Sequence, residues 1–83
     1  MKYIITVDEN QNREIFIFPR TVNHSIFAES VERMRNQTHG NWKRIIRTAK
    51  SAGFIEGGKC VGESESLGLK ALESDNELLD GQI

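Results

Sequence analysis

Seven residues, Gly53-Phe54-Ile55-Glu56-Gly57-Gly58-Lys59, have the spacing of a phosphate-binding loop up to its lysine. Such a loop needs Ser or Thr directly after the lysine to hold magnesium, a strand before it, and a helix after it whose N-terminus faces the phosphates. Here the lysine is followed by Cys60, and Val61-Gly62-Glu63-Ser64 does not start a helix. These residues are therefore read as a turn. Cys60 is the one thiol in the chain, and His24 and His39 are its imidazoles. Nucleophilic catalysis needs a base within hydrogen-bond reach of the nucleophile and a third group to orient that base. His24 falls at a helix start and His39 in a Gly-containing loop, so a small enzyme gains support only if Cys60, His24 and His39 converge in a pocket. One Cys and two separated His offer no metal-ligand spacing, and Glu63 and Glu65 read as acids on a wet strand face. No catalytic residue, metal site or cofactor is expected.

Charge is the one unusual feature. Met1 to Glu32 holds three Lys or Arg against five acids, net -2; Arg33 to Ile55 holds six bases and no acid, net +6; Glu56 to Ile83 holds two bases against seven acids, net -5. Segregation in blocks points to an electrostatic surface. The basic block contains Arg33, Arg35, Lys43, Arg44, Arg47 and Lys50, with Trp42 among them as an aromatic able to stack on a base. These seven residues are the expected contact set for a macromolecular partner or for nucleic acid. Two features weigh against nucleic acid: the acidic C-terminal third can neutralise the block, within the fold or across a dimer, and the net charge of -1 is unlike most such domains.

The elements that must position these residues can be read from spacing. Tyr3 to Val7 and Ile15 to Phe18 are β-branched or aromatic almost throughout, and the polar run Asp8-Glu9-Asn10-Gln11-Asn12-Arg13 between them closes a hairpin. Ile15 and Ile17 point to one face and Phe16 and Phe18 to the other, so neither face of the second strand is wet. Either a second layer of this chain or a second copy covers Phe16 and Phe18. Pro19 ends the strand. Asn23 caps a helix with Ile26, Phe27, Val31 and Met34 on its apolar side, Val22 in staple position to Phe27, Glu29 four before Arg33, and a stop near Asn36.

Residues 42–52 are ambiguous. Trp42, Ile45, Ile46, Ala49 and Ala52 follow helical spacing behind Asn41, which would make a winged-helix-like arrangement with Lys43, Arg44, Arg47 and Lys50 outward. Gly53 to Gly62, however, reads as a hairpin closed by Gly57-Gly58, with Glu56 facing Lys59 and, by extension, Lys50 facing Glu65. A long strand from about Arg44 to Glu56, paired with Lys59 to Leu67, is preferred because an isolated hairpin needs more strands. A short last helix begins near Ser74 or Asp75 and ends at Gly81, with the final residues fraying. The expected architecture is α+β: an antiparallel sheet of two hairpins with one main helix, ββαββ, then the short C-terminal helix.

Eighty-three residues, 37% of them hydrophobic, allow one small domain over 1–83 and a modest core. The apolar runs fall far short of the roughly 20 residues that cross a bilayer. A lone Cys and an N-terminus that runs from Val7 into Asp8-Glu9 without a signal-peptide pattern favour a reducing cytoplasm and no membrane. A core this small motivates a homodimer.

The stretches Arg13-Glu14-Ile15-Phe16-Ile17-Phe18-Pro19-Arg20-Thr21-Val22-Asn23-His24 and Ser51-Ala52-Gly53-Phe54-Ile55-Glu56-Gly57-Gly58-Lys59-Cys60-Val61-Gly62 resemble those of small uncharacterised proteins encoded by phages and prophages of Gram-negative bacteria. The resemblance implies a compact accessory protein that binds a host or phage macromolecule, with no residue role attached. The expectation is a non-enzymatic interaction module, with a protein or nucleic-acid partner.

Overall fold

The computed structural model describes residues 1–33, 35–38, 41–44 and 46–81, with segments 35–38 and 41–44 described through their backbone. The N-terminal hairpin forms as its composition requires. Strand β1 (Lys2–Asp8) pairs antiparallel with β2 (Arg13–Phe18), with Tyr3 opposite Ile17, Ile5 opposite Ile15 and Val7 opposite Arg13. Asp8 closes the turn, its Oδ1 accepting the backbone N–H of Asn10 at 2.8 Å and of Asn12 at 2.9 Å.

Strand β5 (Arg47–Glu56) lies on the other side of β1, and β6 (Lys59–Val61) follows it, giving a four-stranded antiparallel sheet in the order β2-β1-β5-β6. The β5–β6 turn is the Gly57-Gly58 turn of the sequence, with Glu56 opposite Lys59. Both glycines have positive φ, 57° and 77°, which a two-residue turn matched to the twist of its strands demands. Beyond Val61 the expected long partner strand breaks. Gly62 takes φ 77°, and the chain turns into the small pair β7 (Glu63–Ser64) and β8 (Leu69–Lys70). Lys50 and Glu65 are therefore not strand partners.

The winged-helix alternative is corrected here, because residues 47–56 are extended and no helix spans 42–52 among the described residues. The helical spacing has a specific cause. Ser51 pairs with Ile5 but Ala49 pairs with Thr6, so the register slips at Lys50. An extra residue in one strand of an antiparallel pair turns positions three apart to the same face. Ala49 and Ala52 consequently lie in one apolar cluster, and Ile46, also part of the helical pattern, is exposed.

Each face of the sheet is covered by a helix of this chain. Helix α1 (His24–Glu32) lies on the face carrying Ile4, Phe16, Phe18 and Ala52, contributing Ala28 and Val31, with Val22 and Phe27 packed alongside. Helix α2 (Asp75–Asp80) covers the opposite face, where Leu79 joins Tyr3, Ile5, Ile15 and Cys60. The two-sided apolar character of β2 is thus met by two intrachain layers, and Phe18 is buried beneath α1 with its ring stacked on Phe27 at 4.1 Å. Strand β1, central and covered twice, buries Tyr3, Ile4, Ile5 and Thr6 in succession.

Two details of the helices differ from expectation. Asn23 caps α1 as predicted, its side chain accepting the Ser25 N–H at 2.8 Å, but the helix ends at Glu32 and its buried face is His24, Ala28 and Val31, leaving Ile26 63% exposed. His24 turns the helix. Its Nε2–H donates to the Gly53 carbonyl at 2.8 Å, and its ring packs edge-on against Phe18 and Phe54, each at 5.4 Å. The C-terminal segment is docked as far as Gly81, because Asp75 and Leu79 are buried. Residues 82 and 83, and with them the fraying expected there, lie outside the described residues, as do Met34 and His39.

Candidate functional site

Among the described residues, strands β3 (Arg35–Thr38) and β4 (Asn41–Arg44) pair only with each other, forming a two-stranded ribbon separate from the four-stranded sheet. The ribbon interrupts the chain between α1 and β5. Its register places Arg35 opposite Arg44, Asn36 opposite Lys43, Gln37 opposite Trp42 and Thr38 opposite Asn41. Strand alternation then assigns Arg35, Gln37, Trp42 and Arg44 to one face and Asn36, Thr38, Asn41 and Lys43 to the other. Three of the eight residues are cationic and none is acidic. Like charges directly opposite one another, as at Arg35 and Arg44, destabilise a strand pair. Trp42 is the one large apolar residue of the ribbon, and a two-stranded ribbon is marginal in water at best.

The seven residues expected to form one basic surface divide into three groups. Arg35, Trp42, Lys43 and Arg44 belong to the ribbon, and their side chains lie outside the described residues. Arg33 and Lys50 are exposed, Arg33 forming an exposed 2.7 Å ion pair with Glu29 and Lys50 occupying the slipped register of β5. Arg47 leaves the surface. It is 8% exposed, lies opposite Asp8 on β1, and its Nε is 3.9 Å from Glu14 Oε1. Its Nη1 has no partner among the described residues. The sequence could not show this, since a base in a run of bases reads as solvated until strand pairing sets it against acids from β1 and β2.

Cys60 and His24 do not converge, and His39 lies outside the described residues. Cys60 lies in the core beneath α2, and His24, the first residue of α1, packs on the opposite face of the sheet. Burial pushes the Cys60 thiol above its ordinary range. His24 instead lines a cleft of about 630 Å³ with Asn23, Phe54, Ser64, Ser66 and the two acids Glu63 and Glu65. Ser64 accepts the Leu67 N–H at 3.3 Å and lies 3.3 Å from Ser66 Oγ, while the Nε2 of His24 is held by Gly53. No serine is hydrogen-bonded to the imidazole among the described residues.

A polar cluster that sequence reasoning missed surrounds Asp75. This carboxylate is fully buried. Oδ2 accepts the Tyr3 hydroxyl at 2.6 Å and the Leu72 N–H at 2.9 Å, and Oδ1 accepts the Ser51 hydroxyl at 2.9 Å and a longer contact from Arg13 Nη2 at 3.4 Å. Burial first, and the bond to Asp75 second, raise the Tyr3 hydroxyl far above its ordinary range, so it stays a donor. The cluster ties α2 to β1, β2 and β5. Asp75 stands among Glu73, Glu77 and Asp80, and nothing in that run distinguishes the one acid that is buried.

No protein-family model matches this chain, and neither the curated proteins nor the solved structures compared with it give a match.

Proposed function

We propose that this protein is a non-enzymatic interaction module that binds a macromolecular partner through the β3–β4 ribbon. One observation carries the reading: a strand pair outside the main sheet, cationic and without acids, with little apolar surface of its own to stabilise it. A surface of this kind is completed by a partner of opposite charge.

Nucleic acid is the second reading, and the unbroken run of six bases from Arg33 to Lys50, with no acid before Glu56, favours it. Burial of Arg47 removes one base from the expected contact set and leaves Arg33, Arg35, Lys43, Arg44 and Lys50 with Trp42. The test is a salt titration of binding to generic duplex and single-stranded DNA. Affinity should fall with salt at a log-log slope of about 0.9 per phosphate neutralised on duplex. Absence of binding at low salt, or binding without a salt slope, sinks the nucleic-acid reading.

The accessory role in a phage or prophage rests on the resemblance at 13–24 and 51–62, and a cytoplasmic setting on the lone Cys60. No described helix is long and apolar enough to cross a membrane. The homodimer reading narrows to one place. With α1 and α2 over the two faces, a second copy would join at the edge strand β2, where Ile17 is 39% exposed.

A further inference from the structure

We infer that the β3–β4 ribbon enters the major groove of B-form duplex DNA and reads base edges there; this inference rests on the nucleic-acid reading above. The first reason is shape. Two paired strands lie about 4.8 Å apart and four residues extend about 13 Å, and the major groove, roughly 12 Å wide and 8.5 Å deep, admits a two-stranded ribbon.

The second reason is the residue types. Beside its three cations, five of the ribbon's eight residues, Asn36, Gln37, Thr38, Asn41 and Trp42, are uncharged. Four of these five are hydrogen-bonding types that pair with base edges: Asn and Gln with adenine, Thr with several bases, while Arg pairs in bidentate fashion with guanine. Register places Gln37 on the same face as Arg35 and Arg44, so one face of the ribbon carries an adenine-pairing residue type next to a cross-strand pair of guanine-pairing ones. Asn36 and Lys43 stand opposite each other on the second face.

The third reason separates duplex DNA from the other nucleic acids. Binding of single strands relies on successive aromatic platforms, whereas the ribbon has Trp42 alone. Duplex RNA has a deep, narrow major groove that side chains cannot read. Arg33, two residues before β3, and Lys50 in β5 are exposed and supply flanking charge for phosphates.

The experiment is selection of the full chain on a random-sequence duplex DNA pool. Fluorescence anisotropy then follows on the enriched duplex, on the same duplex with 7-deazapurines in the enriched site, on the corresponding duplex RNA, and on one DNA strand. Expected are enrichment of a short site of defined sequence and a loss of at least about fivefold in affinity on 7-deaza substitution, which removes the major-groove N7 acceptor and leaves the minor groove intact. Weaker binding of RNA and of the single strand is expected as well. Arg35→Ala with Arg44→Ala should lower affinity and shrink the 7-deaza effect at guanines of the site, with far-UV circular dichroism confirming that the sheet persists. Salt-dependent binding without enrichment, or equal binding of the 7-deaza duplex, the RNA or the single strand, overturns the inference and leaves nucleic-acid binding standing. No binding of any nucleic acid overturns both.

Discussion

Asp75 illustrates how much one side chain can decide in a chain this short. Its carboxylate satisfies Tyr3, Ser51 and the Leu72 amide at once, and removing one member of a buried network leaves the others desolvated and unpaired. Asp75→Ala should therefore cost about 3 kcal/mol or more, and Tyr3→Phe about 1 kcal/mol, both read from urea unfolding. A wild-type midpoint for Asp75→Ala would show that the cluster contributes no stability. Cys60, buried and with its thiol held up by burial, should react with a disulfide reagent only as fast as the domain opens, because the thiolate is the reactive form. Asp8 supplies the pH dependence. The backbone amides of Asn12 and Asn10, Asn12 first, hold its carboxyl below the ordinary 3.8. The folded state thus takes up this proton at lower pH than the unfolded chain. The group's stabilisation is complete above the unfolded value and is lost as pH falls through the folded one. Asp8→Asn keeps a turn-forming oxygen and should flatten that acid limb in thermal melts across the carboxylate range.

At the scale of elements, local spacing and tertiary pairing compete. The Gly57-Gly58 turn and the N-terminal hairpin are legible because their chemistry is local: two positive-φ positions, and β-branched runs around a polar turn. The slip at Lys50 is not local, since it exists only relative to β1. It made a strand look helical by placing Ala49 and Ala52 on one face. Helix α1 shows the same competition at its first residue. Hydropathy favours Ile26 as the inward position, but the bond from His24 to Gly53 and the two ring contacts turn that side of the helix outward. His24→Leu, which keeps apolar bulk and removes the donor, should destabilise the domain by about 1 to 2 kcal/mol. Strand β5 also needs a glycine at 53, because a Cβ there would sit 2.5 Å from the Val61 carbonyl. Gly53→Ala should accordingly cost about 1 to 3 kcal/mol in the same unfolding measurement.

At the scale of the whole molecule, the question is what a small domain leaves open once its faces are covered. The sheet has a helix on each side and two edge strands, the six-residue β2 and the three-residue β6, and on β6 the Cys60 N–H is taken by Asn76 Oδ1 at 2.8 Å. Edge strands pair with other chains unless they are blunted. Sedimentation equilibrium tests this: association should weaken when Ile17→Lys places a charge at the β2 edge, and a monomer at high micromolar concentration removes the dimer altogether. The amino-acid sequence by itself determined the α+β class, both hairpin turns, the cap at Asn23 and the charge blocks, because each follows from residues near one another in the chain. Tertiary structure decided which base is buried, which acid is buried, how long the partner of β5 runs, and that the second layer over Phe16 and Phe18 is α1. Those outcomes depend on which distant backbone a side chain meets. Arg47 and Asp75 acquire their surroundings only when β1 stands between β2 and β5, and no pattern within either segment encodes that meeting.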